Sequence, residues 1–174
     1  MGVSNFDILK ANGIFAPQVM NTTGKVYFVN NATSGLPEGA IGGSNGNSGL
    51  SPLEPFSTID YAVGRCTASR GDVIYVMPGH SEAVTAAGTI DLDVAGISVI
   101  GLGQARNRPT ITFTTAAGAD IDFDAANISL KNFQITTVGV ASVTAPFDIN
   151  AADCEISDCE IIVTDATNEA ARGV

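Results

Sequence analysis

Three stretches in the second half of the chain carry the same alternation of apolar and polar residues. Ile90-Asp91-Leu92-Asp93-Val94-Ala95-Gly96-Ile97-Ser98-Val99, Ile121-Asp122-Phe123-Asp124-Ala125-Ala126-Asn127-Ile128-Ser129-Leu130 and Phe147-Asp148-Ile149-Asn150-Ala151-Ala152-Asp153-Cys154-Glu155-Ile156 share one text. It reads apolar-Asp-apolar-Asp/Asn-x-Ala-x-apolar-x-apolar, and equivalent positions lie 31 and then 26 residues apart. Period-two alternation predicts strands, and the small Ala between two such runs predicts a tight corner. Repeats of this length mark stacked, one-dimensional architectures in which each unit buries its apolar face only against its neighbours.

The same reading extends outward. Lys25–Asn30 alternates and reads as a strand, and Val73–Met77 reads as a second, ended by Pro78-Gly79. Further strands are expected at Thr110–Thr114, Phe133–Ile135 and Cys159–Val163, filling the other sides of each turn. Ile74, Ile97, Ile128 and Cys154 are expected to mark successive turns, with corners at Gly101, Asn132 and Asp158. Between the first two strands, residues 31–55 are rich in Gly, Asn, Ser and Pro and predict a long surface loop. Ser57-Thr58-Ile59-Asp60 opens a predicted helix over Ser57–Ala68, capped by Ser57, with Ile59, Ala62, Val63 and Cys66 on one face. The chain thus divides into an extended arm, 1–24, and a β-domain, 25–174. Within that domain lie a strand and loop (25–56), a helix (57–69), repeated turns (70–163) and a tail (164–174). The arm carries Phe6, Ile8, Leu9, Ile14 and Phe15 among Asn, Gly and Pro. Apolar groups so placed suit packing on a surface, and these five are the candidate partner-binding residues.

Composition narrows the function classes. Eight Lys and Arg stand against 18 Asp and Glu, a net charge of −10, so the chain lacks the basic stripe that replaces phosphate counterions, and nucleic-acid binding is not expected. No apolar run is long enough for a membrane span, and Met1–Asp7 lacks the basic and apolar regions of a secretory signal. Only 6% of residues are aromatic and there is no Trp, so the core must be aliphatic. Cys66, Cys154 and Cys159 are odd in number and two fall at repeat core positions, which favours reduced thiols acting as small hydrophobes. Arg70-Gly71-Asp72, a tripeptide also met in cell adhesion, is expected to be a structural turn before a strand.

The order of these elements resembles that of right-handed parallel β-helix proteins of the pectate-lyase-like type. The likeness covers residues 57–163 and is carried by the helix, by Gly71-Asp72-Val73-Ile74-Tyr75-Val76-Met77-Pro78-Gly79 and by Gly96-Ile97-Ser98-Val99-Ile100-Gly101-Leu102-Gly103. It implies an all-β fold: a short right-handed parallel β-helix with an N-terminal capping helix and an extended N-terminal arm. A β-sandwich would need hairpin turns such as Asn-Gly between adjacent strands, and the repeat region has none. More narrowly, Pro78-Gly79-His80 and Gly101-Leu102-Gly103-Gln104-Ala105-Arg106-Asn107-Arg108-Pro109-Thr110-Ile111 resemble a group of small bacteriophage virion proteins. That resemblance implies a capsid decoration or cement subunit on the exterior of the phage head. It would be made in the host cytoplasm, be trimeric, and dock on the major capsid protein.

Candidate chemistry is sparse. Asp91, Asp122 and Asp148, with Asp93, Asp124 and Asn150 beside them, form an acidic column suited to Ca²⁺ or, more simply, to a solvated face bonding corner amides. Lyases of the resembled fold pair such acids with an Arg or Lys base, but Lys131 is the only basic residue within the repeats, and Arg106 and Arg108 lie in a loop. His80, the sole histidine, would need an orienting acid such as Glu82 to act as a base. Neither catalytic, cofactor nor metal residues are therefore assigned. The alternatives to a virion subunit are a tail- or fibre-associated glycan-binding adhesin and a polysaccharide-degrading enzyme.

Overall fold

The computed structural model describes residues 23–137 and 143–162. Among these, twelve strands and one short helix follow in order: β1 (Val26–Val29), α1 (Ile59–Val63), β2 (Val73–Val76), β3 (Ser81–Val84), β4 (Ile90–Leu92) and β5 (Ser98–Gly101). Then come β6 (Thr110–Phe113), β7 (Ile121–Phe123), β8 (Ser129–Lys131), β9 (Gln134–Thr137), β10 (Phe147–Ile149), β11 (Glu155–Ser157) and β12 (Glu160–Ile162). The fold is all-β, built of parallel sheets with almost no helix. One sheet runs β1-β2-β5-β8-β11, a second β3-β6-β9-β12, and a third β4-β7-β10. From β2 to β9 each strand pairs, in parallel, with the third strand after it.

Parallel pairing without offset stacks equivalent side chains in columns, and the sequence repeat exists to fill them. The first sheet aligns Tyr27, Ile74, Val99, Leu130 and Ile156. The third aligns Ile90, Ile121 and Phe147, and beside them Leu92, Phe123 and Ile149. Phe113, Phe123 and Phe133 are the largest fully buried side chains, surrounded by Ile, Leu and Val. The corner falls one residue after the repeated Ala. Ser69, Gly96, Asn127 and Asp153 all take left-handed backbone, with φ of 57°, 73°, 61° and 58°. Each of the first three donates its amide to the carbonyl of Ala95, Ala126 or Ala152 in the next layer, at 2.7, 3.0 and 3.1 Å. Gly, Asn and Asp recur at this corner because they tolerate that conformation best.

Three expectations need correction. Ile74 pairs with Val99, so the column of Ile97, Ile128 and Cys154 is continued upward by Asp72, which is fully buried. The helix spans Ile59–Val63 and is capped by Thr58, whose hydroxyl accepts from the Tyr61 amide. Ser57 instead bonds Asn45 through both its amide and its hydroxyl. Past Gly64 the chain leaves the helix because other groups claim its backbone: the Tyr27 hydroxyl donates to the Arg65 carbonyl, and Asp72 accepts from the Thr67 amide. Finally, β3 was not expected, because Glu82 stands where its counterparts are Ile111, Ile135 and Ile161 and so breaks the apolar alternation.

The two ends of the stack differ. At the β1 end, the loop over residues 31–55 and the residues after it return to cover the edge. Phe28 and Asn30 donate to the carbonyls of Gly49 and Phe56, and Phe56 donates back to Phe28, all at 2.8–2.9 Å. Gly49 (φ 65°) lies so close to the Phe56 ring that a Cβ there would come within 2.1 Å of it. Asn47 ties the loop further by donating to the carbonyls of Gly42 and Pro55. At the other end no described strand pairs with the free sides of β10, β11 and β12. There Ile149 and Ile161 are each 49% exposed. Replacing Phe123 by Ala should lower the unfolding free energy by about 3–5 kcal/mol, whereas Ile149→Ala in the adjacent layer should cost less than ~1 kcal/mol. Urea denaturation of the two variants checks this contrast.

Candidate functional site

Two groups of chemistry-bearing side chains are assembled by this stacking. The first is an acidic ladder on the outer face of the third sheet. The β4-β7-β10 register places Asp91, Asp122 and Asp148 one above another. Asp60 of α1 extends the ladder by accepting the Asp91 amide at 3.3 Å, covering the free edge of β4 where another strand would lie. Below it, Asn150 donates to Asp124 at 3.0 Å. Asp120, which sequence reasoning missed, turns back from the corner before β7 and accepts from the Gly88 amide. It escaped notice because its counterparts are Thr89 and Pro146, so it forms no column.

Asp120, Asp122 and Asp148 each offer an oxygen within 4.8 Å of the others. Three oxygens are at most half of the six to eight that Ca²⁺ takes, so water would have to supply the rest. The electrostatic consequence is mutual repulsion. Burial, then the charges of Asp120, Asp124, Asp148 and Asp91, push the Asp122 carboxyl up to about 6. Asp91 is also raised, first by burial and then by Asp93, Asp124 and Asp60, and its Oδ1 is buried without a hydrogen-bond partner. Of the basic residues weighed as a base, Lys131 pairs with Asp158 at 3.1 Å and Arg108 lies 3.8 Å from Glu160.

The second group lies inside the β1 end. His80 and Glu82 are both buried, and their Nε2 and Oε2 are 3.0 Å apart. His80 Nδ1 accepts from the Asn31 amide at 3.1 Å, which fixes the tautomer with the proton on Nε2. Glu82 accepts that proton's hydrogen bond and also the Ile59 amide, at 3.0 Å, at the start of α1. The sequence-expected partnership of His80 and Glu82 is therefore present, but both are buried and join β3 to the loop and to α1.

Asp72 plays the same part nearby. Its carboxylate takes both Arg70 nitrogens at 3.0 Å, the Thr67 amide at 2.7 Å and the Lys25 amide at 2.6 Å. Burial alone would raise the Asp72 carboxyl, but Arg70 and the two amides outweigh it and hold it below the ordinary carboxylate value. Arg70-Gly71-Asp72 is thus a closed turn and cannot present its aspartate.

The three cysteines are free. Burial, then the Asp72 charge, push the Cys66 thiol up to about 12, against a smaller opposing effect of Arg70, which leaves it an unreactive hydrophobe. Phe6, Ile8, Leu9, Ile14 and Phe15 lie outside the described residues. Comparison with protein-family models, with curated proteins and with solved structures finds no match to this chain.

Glu82→Ala leaves the His80 and Ile59 donors buried without acceptors and should destabilise the fold by about 2–4 kcal/mol. Hydrogen exchange at Asn31 should accelerate alongside. For Asp122 the folded value exceeds the unfolded one, so its contribution to stability is full below about pH 4 and is lost as pH rises through 6. Asp122→Asn should remove that loss. Thermal melts from pH 4.5 to 7.5 should show the variant gaining about 2–4 °C at the upper end, and nothing at the lower, after allowance for solvent screening.

Proposed function

We propose that the chain is a short right-handed parallel β-helix that serves as a structural virion subunit, a capsid decoration or cement protein docked on the major capsid protein of a tailed phage. The rotation of strands among three sheets supports the β-helix, with α1 and the loop closing its first turn. The observation that carries the structural role is the use made of the buried acidic and imidazole groups. Asp72, His80 and Glu82 are committed to backbone amides and to one another at the β1 end. Apolar side chains fill the columns of the remaining layers. Such a stack is stiff and keeps its ionisable interior for holding its own cap.

Attachment through the arm, with Phe6, Ile8, Leu9, Ile14 and Phe15 as anchors and a trimer as the docking unit, follows the sequence resemblance. Deleting residues 1–20 should leave a protein with an unchanged melting temperature that no longer co-sediments with capsids. Full co-sedimentation of the truncated form would count against the arm, and breakdown of a polysaccharide by the intact protein would count against the whole reading.

A further inference from the structure

The end of the stack formed by β10, β11 and β12 is built for addition of a strand. Glu155 and Glu160 donate their amides to Ile128 and Phe133 in the preceding layer, and Asn150 donates to Phe123. In parallel strands successive residues bond to opposite neighbours, so the amides of Ile149, Ile156 and Ile161 point the other way, along the free edges. The same three isoleucines continue the interior columns of Phe123, Leu130 and Ile135. Two of them are half exposed. Free polar edges beside an open apolar interior make a template for pairing.

Charge then selects the occupant. Residues 143–162 hold five acidic side chains and no basic one, and of the five, Lys131 reaches Asp158 at 3.1 Å and Arg108 approaches Glu160 at 3.8 Å. Asp148, Glu155 and Glu160 take the alternate, outward positions of the three edge strands and are exposed. A layer of this chain's own repeat would set another aspartate over Asp148, adding like charge to like as Asp91, Asp122 and Asp148 already do. A second copy meeting this end would bring the same acids. Residues 163–174 carry Asp165 and Glu169 against Arg172 and do not complement it either.

We propose that this end docks an extended segment of another protein in which apolar residues alternate with Lys or Arg. The apolar side chains would cover Ile149, Ile156 and Ile161, the basic ones would pair with Asp148, Glu155 and Glu160, and the main chain would add to the free edges. The inference rests on this end alone and not on the virion role.

The test uses the full chain and two six-residue acetylated peptides, one alternating Lys with Val and the other alternating Glu with Val. The Lys peptide should slow hydrogen exchange at the Ile149, Ile156 and Ile161 amides by ~10-fold or more, and the Glu peptide should not. The exposed triple substitution D148K/E155K/E160K should reverse that preference, while E38K/E54K/D93K, an equal charge change elsewhere, should leave it intact; circular dichroism confirms that both variants fold. Protection at other amides only, or equal loss with the control triple, overturns the proposal as non-specific attraction. Protection without peptide that grows with protein concentration assigns the end to a second copy. Protection without peptide that vanishes when the chain is stopped after Ile162 assigns it to the chain's own residues. Either result overturns the proposal.

Discussion

In-register parallel pairing is the constraint on which everything else in this molecule depends. Because the strands of a sheet neither slip nor alternate in direction, whatever occupies a position in one layer lies against its counterpart in the next. For apolar residues that is favourable, and it produces continuous columns such as Ile74-Val99-Leu130-Ile156. For aspartates it is not: the same register that builds the core builds the acidic ladder, whose charges add to burial in raising Asp122. Core and candidate site are two faces of one geometric rule.

A stack held together this way has a problem at each end, where the last layer lacks a neighbour. The chain closes the first end with buried polar groups set among the apolar side chains of Tyr27, Val29, Phe56 and Ile59. Asp72 occupies a column otherwise filled by Ile97, Ile128 and Cys154, and Glu82 one filled by Ile111, Ile135 and Ile161. Buried carboxylates are tolerated only when hydrogen-bonded: Asp72 takes the amides of Thr67 and Lys25 and the Arg70 guanidinium, and Glu82 takes the Ile59 amide at the start of α1 and His80. These departures from the repeat anchor the cover to the layers. The opposite end has no such substitutions, keeps its isoleucines, and bears its acids outside.

This asymmetry gives the molecule a direction. One end is covered by its own chain, which takes up the β1 edge with the carbonyls of Gly49 and Phe56 and the Phe56 amide. At the other, among the described residues, no strand pairs beyond β10, β11 and β12, and Ile149 and Ile161 are half exposed.

The sequence by itself determined the layered β-architecture, most strand positions, the register of the acidic column and the corner residues, because a period of about 30 residues filled with a period of two leaves few other ways to bury its apolar face. It also pointed to His80 and Glu82 as partners. Only the tertiary structure decided what those two residues do, since a His and a Glu two apart read alike whether they line a cleft or close a core. It likewise decided the place of Asp72 in the Ile97 column, the early end of α1 and the membership of Asp120 in the ladder. In each case the deciding contact joins residues more than twenty apart in sequence or lies outside the repeat: Lys25 with Asp72, Ile59 with Glu82, Tyr27 with Arg65, Gly88 with Asp120. Local alternation carries no information about such pairs, because they exist only once the layers have stacked.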